Sequence, residues 1–324
     1  MKGNLSTILG HEKIMVIDGS MSTALERLGA DLNDELWTAK VLKEQPELVK
    51  QVHMDYFRAG ADCGITASYQ ATIPGLMKKG LTEKESEEII ARSVKIFCEA
   101  RDQWWAEEGK KAGREYPLCL ASVGPYGAYL ADGSEYRGRY SISDVELRDF
   151  HRRRMEVLRD AGADMFLIET IPAYREAVVC ADLAEELGLD YWISFSCMSG
   201  TKINEGDPIR DCASGIVSGH PHLRMIGVNC TDPRFIVSLI SEIKAGLEEA
   251  GADMPIGVYP NSGDKYDPAT KSWTKAGEGM AFGAYAYEYM KAGAAAVGGC
   301  CTTVAGHIRQ VAEARKRFLA GEYD

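Results

Sequence analysis

The chain has 324 residues, with 37 Lys and Arg against 48 Asp and Glu, for a formal net charge of −11. Hydrophobic residues make up 45% and charged residues 26%, an ordinary globular balance that excludes a disordered chain. The acidic excess argues against nucleic acid as a partner, because phosphate binding needs a basic patch. The N-terminal run carries no apolar stretch long enough for a signal peptide. No segment approaches the roughly 18 apolar residues of a membrane span. A cytoplasmic protein without membrane contact is therefore expected, and its 9 cysteines are expected as thiols. Either they fill the core or some of them hold a metal.

In chain order, the first strand is predicted at residues 14–18, ending in Asp18-Gly19. Ala59-Gly60-Ala61-Asp62 reads as a helix C-cap leading directly into a second strand at 63–68. A third strand at 118–123 runs into Gly124-Pro125-Tyr126-Gly127. Ala161-Gly162-Ala163-Asp164 introduces the fourth, at 165–169, and Leu187-Gly188-Leu189-Asp190 the fifth, at 191–196. The sixth, at 225–230, is followed by an amphipathic helix over 235–250, with Ile236, Leu239, Ile240, Ile243 and Leu247 on one face. Ala250-Gly251-Ala252-Asp253 then precedes a seventh strand at 256–259, and Ala292-Gly293-Ala294-Ala295 an eighth at 295–300. Val304, Ile308 and Val311 repeat the helical spacing at the end. The strands are apolar on both faces, as parallel strands under helices are. Eight such units predict a (β/α)8 TIM barrel, one domain over residues 1–324. The rival, an open doubly wound sheet, lacks its Gly-rich turn: Gly19 is followed by Ser-Met-Ser-Thr.

Chemistry in such a barrel sits at the C-terminal strand ends. Those ends carry Asp18, the stretch from Thr66 to Gln70, Glu169-Thr170, Cys197, Asn229-Cys230, Tyr259-Pro260-Asn261 and Cys300-Cys301. Strand ends alone explain single carboxylates; they explain converging thiols poorly. Cys230 with Cys300 and Cys301 makes a set that suits Zn²⁺ with one open position, and buried free thiols remain the alternative. The absence of Cys-x-x-Cys and His-Glu-x-x-His excludes a zinc finger or zincin. Cys98 and Cys180 fall on predicted helices, Cys63 and Cys119 near strand starts, and Cys197 and Cys212 flank the fifth loop; all six read as bystanders. His220 and His222 precede the sixth strand, at the opposite face.

These motifs together resemble the homocysteine S-methyltransferase family over nearly the whole chain. The resemblance rests on Ile17-Asp18-Gly19-Ser20-Met21-Ser22-Thr23, Thr66-Ala67-Ser68-Tyr69-Gln70-Ala71-Thr72 and Ser122-Val123-Gly124-Pro125-Tyr126-Gly127-Ala128-Tyr129. It continues through Ala131-Asp132-Gly133-Ser134-Glu135-Tyr136-Arg137-Gly138, Gly227-Val228-Asn229-Cys230, Tyr259-Pro260-Asn261-Ser262-Gly263 and Gly298-Gly299-Cys300-Cys301. It implies a Zn²⁺ site on Cys230, Cys300 and Cys301, with homocysteine sulfur in the fourth position. It further implies that Asp18 and Glu169 take the homocysteine amino group, that the amides near Ser20 and Met21 take its carboxylate, and that Thr66 and Asn229 join them. The stretch from Gly124 to Gly138 resembles the branch that uses S-methylmethionine, with S-adenosylmethionine a poorer donor. Thr170 stands where the betaine-using branch has an aromatic residue, which argues against betaine.

The 17 residues of 124–140 are long for a βα connection. They carry Tyr126, Tyr129, Tyr136 and Tyr140 with Asp132 and Glu135 between them, and are expected to form a donor-binding wall or lid. Tyr69, Tyr259 and Asn261 are further candidates for the donor pocket, with core packing as the competing role. Two other readings stay open. One is a homocysteine-activating module working in trans with a cobalamin and folate system, since residues 302–324 leave room for one helix only. The other is a zinc or thiol sensor without turnover, against which the open coordination position argues. Oligomeric state is not predicted.

Overall fold

The computed structural model describes residues 1–32, 38–263, 265–267, 272–274 and 281–322. Among the described residues ten strands appear, numbered in chain order: β1 Met15–Val16, β2 Cys63–Ile65, β3 Leu118–Val123, β4 Met165–Ile171, β5 Tyr191–Phe195, β6 Leu223–Asn229, β7 Ile256–Tyr259, β8 Lys265–Asp267, β9 Ser272–Thr274 and β10 Ala296–Val297. Eight of them form one sheet in the order β1-β10-β7-β6-β5-β4-β3-β2, all neighbours parallel. The remaining two, β8 and β9, pair as a small antiparallel hairpin.

The ends of that sheet, β1 and β2, are joined by carboxylates. Asp62 donates its amide to the Val16 carbonyl (2.7 Å) and accepts the Val16 amide on Oδ2 (2.7 Å). Asp18 accepts the Ile65 amide on Oδ2 (2.9 Å). Asp62 is buried, and Arg315 and Arg114 each lie 2.6 Å from its oxygens. A charge removed from water needs such partners. The barrel is thus closed, with side chains completing what the two-residue β1 is too short to do.

Alternation along the strands sorts the apolar residues into two layers. Met15, Ile17, Cys63, Leu118, Leu120, Met165, Leu167, Trp192, Met225 and Tyr259 fill the barrel interior. Val16, Ala121, Phe166, Ile168, Ile193, Ile226, Val258 and Val297 face the helices. The helix Leu5–Glu12, capped by the Asn4 side chain on the Thr7 amide, sends Ile8 into the interior layer and plugs the N-terminal end. Among the described residues no helix is long and apolar enough to cross a membrane.

The expected strands are all present, with two differences. The ladders of β1, β2 and β10 stop early, although Gly298 N still reaches the Val258 carbonyl and Gly299 N the Asp18 carbonyl (3.0 and 3.2 Å). Continuous apolar character marks the run but not where regular pairing ends. The β8–β9 hairpin was not anticipated, because it lies outside the β/α repeat that organises the rest.

Trp192 is buried in the barrel interior only because Gly257 lies opposite: a Cβ there would stand 2.0 Å from the indole. Gly257→Ala should therefore overpack the interior and cost about 2–3 kcal/mol. Urea unfolding that shows a loss under about 0.5 kcal/mol would mean that the indole has room to move.

Candidate metal centre and substrate cavity

Three strand ends carry non-glycine residues in the left-handed region: Thr170 (φ 59°) at the register shift near the end of β4, Cys230 (φ 50°) after β6, and Thr302 (φ 65°) after β10. Such backbone costs about 1–3 kcal/mol per residue and persists only when its surroundings hold it. Here it turns the chain sharply at the barrel mouth. Hydrogen bonds from Cys230 N to the Tyr259 carbonyl (3.3 Å) and from Cys300 N to the Pro260 carbonyl (2.7 Å) fix both cysteine segments to the end of β7. The sulfurs of Cys230, Cys300 and Cys301 consequently lie within 4.8 Å of one another, with Cys230 and Cys301 3.4 Å apart. Hydrogen bonds from the Cys300 and Cys301 thiols, and from the Tyr136 hydroxyl 3.4 Å away, hold the Cys230 thiol well below its ordinary range. The same interaction pushes the Cys300 and Cys301 thiols up, since they are the donors. Tetrahedral zinc with Zn–S near 2.3 Å places sulfurs roughly 3.8 Å apart, so the donor set and its spacing fit a divalent soft metal.

Asn229, wholly buried beside Cys230, organises the adjacent polar groups. Its Oδ1 accepts the Thr170 amide (2.8 Å), which holds that left-handed residue in place. Its amide group donates to Thr170 Oγ1 (2.8 Å), approaches Glu169 Oε2 (3.5 Å) and faces Cys300 Sγ (3.9 Å). Glu169 also accepts from Ser122 Oγ and from Tyr259 Oη (3.1 Å). Burial raises its carboxyl to about 7 against these hydrogen bonds. Burial likewise raises Asp18 well above the carboxylate range; the Ile65 amide opposes this and the Glu169 charge adds to it. Asp18 Oδ1 is buried without a hydrogen-bond partner among the described residues.

These groups surround a cavity at the barrel mouth. Ser20, Met21, Thr66, Tyr69, Gln70, Glu135, Tyr136, Glu169, Thr170 and Tyr259 line it with all three thiols. Asp18 and Asn229 stand behind that wall, touching residues that form it. Tyr126, Tyr129 and Asn261 are not brought to the lining. Tyr126 and Tyr129 instead pack on Phe150 (5.0 and 5.3 Å between ring centroids), and Lys78 Nζ lies 4.4 Å over the Tyr129 ring. Cys197 and Cys212 are buried away from it, and His220 and His222 are engaged by Asp182 and Asp190.

A model of the family described as homocysteine S-methyltransferase matches residues 15–315. The chain belongs to the homocysteine S-methyltransferase family. Homocysteine S-methyltransferase YbgG of Bacillus subtilis is 49% identical over 306 residues, covering 94% of this chain and 95% of the relative. Homocysteine S-methyltransferase 4 of Zea mays is 45% identical over 318 residues, covering 95% and 90%. Among solved structures, the metallated form of the homocysteine methyltransferase MmuM from Escherichia coli superposes with a TM-score of 0.83 at 38% identity, covering 95% of this chain and 99% of that one.

In this member of the homocysteine S-methyltransferase family the long β3 connection is clamped at both ends by one buried side chain. Glu176 accepts the Tyr126 amide on Oε1 (2.6 Å) and the Tyr140 hydroxyl on Oε2. Arg154 donates to the Gly124 carbonyl and to His151 Nδ1 (2.6 Å), so His151 carries its proton on Nε2 and donates to Glu176 (2.9 Å). Between the clamped ends, the helix Tyr126–Leu130 and the turn Ser134–Tyr136 fold over the mouth and bring Glu135 and Tyr136 to it. The length of this loop was visible in the sequence. Which of its side chains face inward was not: Glu135 and Tyr136 reach the lining, while Tyr126 and Tyr129 do not.

Burial raises the Glu176 carboxyl to about 8; the Glu205 charge adds to this and the Tyr126 amide opposes it. A carboxyl raised in the folded state stabilises the fold while protonated, and that stability is lost as pH rises from the unfolded value through about 8. Glu176→Gln removes the charge while its oxygen still accepts from Tyr126 N and His151 Nε2 and its amide nitrogen donates to Tyr140 Oη. Its melting temperature should gain on the wild type steadily between about pH 5 and pH 8.5. Parallel melting curves across that range would contradict the assignment.

Proposed function

We propose that the protein transfers a methyl group from a sulfonium donor, S-methylmethionine in preference to S-adenosylmethionine, to homocysteine, giving methionine. The observation that carries this reading is the convergence of three thiols from two strand ends on one wall of a cavity that also carries two carboxyls. Cys230, Cys300 and Cys301 would hold Zn²⁺. When bound there, the metal supplies a coordination position that keeps a substrate thiol deprotonated and nucleophilic at neutral pH.

The remaining work falls to the chain's own groups. Ser20 caps the helix Met21–Arg27 and accepts the Thr23 amide, so the first turn of that helix faces the cavity at Ser20, Met21 and Ser22. Amides and dipole there favour the homocysteine carboxylate. Asp18 and Glu169 repel one another, and an ammonium between them relieves both. Thr66, whose hydroxyl pairs with Ser68 and accepts the Ser122 amide, keeps the neighbouring wall rigid. Tyr136 Oη, 3.4 Å from Cys230 Sγ, supplies the outer hydrogen bond that tunes a ligand's charge.

In the transfer itself, the homocysteine sulfur forms a bond to the methyl carbon. The bond from that carbon to the donor sulfur breaks, and its electron pair stays on the departing thioether. The leaving group is neutral, so no general acid is required. What the cavity contributes is in-line positioning and exclusion of water.

Cys230→Ala should abolish both zinc retention and methyl transfer, as read by metal analysis beside methionine formation from homocysteine and S-methylmethionine. A metal-free variant that still forms methionine would overturn the reading.

A further inference from the structure

The cavity has a strongly one-sided charge inventory. Its lining holds two carboxyls and three thiols, and among the described residues no Lys, Arg or His lines it. Most of its acidic groups are already committed. Glu169 is held by Ser122, Tyr259 and Asn229, and Asp18, behind the wall, by the Ile65 amide. Asp18 Oδ1 and Glu135 Oε2 are both buried without a hydrogen-bond partner among the described residues, but of the two only Glu135 lines the cavity itself. A buried carboxylate left without a partner is costly, so its presence on a binding wall points to a missing cationic group.

The placement of Glu135 is built rather than incidental. Its carbonyl accepts from Ser196 Oγ (3.3 Å) at the end of β5, which ties the turn to that side of the mouth. Gly127 lies so close beneath it that a Cβ would meet Glu135 N at 2.5 Å. In an eight-strand barrel, β5 stands diametrically across from β1, the strand that leads into Ser20 and Met21. The thiols come from the ends of β6 and β10, on the arc between. The mouth thus offers two walls suited to an amino acid: one at β1 with helix amides, and one near β5 with the unpartnered Glu135 Oε2.

Taking the methyl-transfer reading above as its basis, we propose that Glu135 sets donor specificity by binding the α-ammonium of a sulfonium amino acid. The ammonium brings three N–H donors to the unpartnered oxygen, a charge-assisted contact. The sulfonium itself has no donor and is drawn instead toward the thiols and the neighbouring rings of Tyr69 and Tyr136. The carboxyl of Glu135, raised by burial to about 7, ionises more readily once that cation arrives. The ammonium is unchanged by methyl loss, so this contact holds donor and product alike and leaves the chemical step to the sulfur end.

The test compares two donors, S-methylmethionine and its desamino analogue (3-carboxypropyl)dimethylsulfonium, on wild type and on Glu135→Gln. Wild type should prefer the ammonium-bearing donor by roughly 10- to 100-fold in kcat/KM. Glu135→Gln should lose that preference mainly through the donor KM, with the homocysteine KM, zinc content and melting temperature preserved, and Glu135→Asp should recover part of it. Titration calorimetry with S-methylmethionine should show the same loss without turnover. Retained preference, an equal loss on both donors, or a raised homocysteine KM would overturn the proposal while leaving methyl transfer intact. A wild type that forms no methionine from either donor would instead refute the reading of the site. Should wild type also fail to bind S-methylmethionine in the calorimeter, the Glu135 proposal falls as well.

Discussion

Three sulfurs held within 4.8 Å of one another, beside a buried carboxyl, set the constraint on which this site depends. Like charges at that spacing cannot all ionise without a cation among them. In the protein alone, the conflict is resolved by sharing protons: Cys300, Cys301 and Tyr136 all donate toward Cys230. A metal resolves it differently, by neutralising the set while keeping a position for one more sulfur. The left-handed turns at Thr170, Cys230 and Thr302 serve this arrangement, and Asn229 ties the first of them to Glu169 and Cys300.

The same electrostatic logic extends outward. An acidic cavity without a basic side chain among its described lining residues is poorly suited to anions and well suited to cationic amino acids. In the proposed reaction a sulfonium donor gives up its sulfur charge as the methyl leaves, while a thiolate acceptor gives up its own. The reaction therefore cancels charge in a medium where separated charge is expensive. Glu176, at the root of the loop over the mouth, anchors the lid through Tyr126 and Tyr140 without reaching the substrate space.

The barrel was legible because its strands are apolar on both faces and five of the eight follow a helix-capping glycine. The thiol set was legible because Asn229-Cys230 and Cys300-Cys301 end two strands that a barrel places on one rim. The loop over the mouth was legible by its length but not by its inward side chains. The helix Tyr126–Leu130 turns Tyr126 and Tyr129 toward Phe150, while the turn Ser134–Tyr136 delivers Glu135 and Tyr136 to the cavity. That choice is made by Glu176, Ser196 and Arg154, tens of residues away, and no local pattern encodes it. Asn229 shows the same limit: its position was readable, its role in bracing Thr170 was not.

Zinc K-edge X-ray absorption on the purified protein, before and after addition of homocysteine, tests the central claim most directly. Three sulfur scatterers near 2.3 Å should become four, with Cys230, Cys300 and Cys301 supplying the first three. A spectrum unchanged by homocysteine, or one dominated by nitrogen and oxygen, would contradict the account.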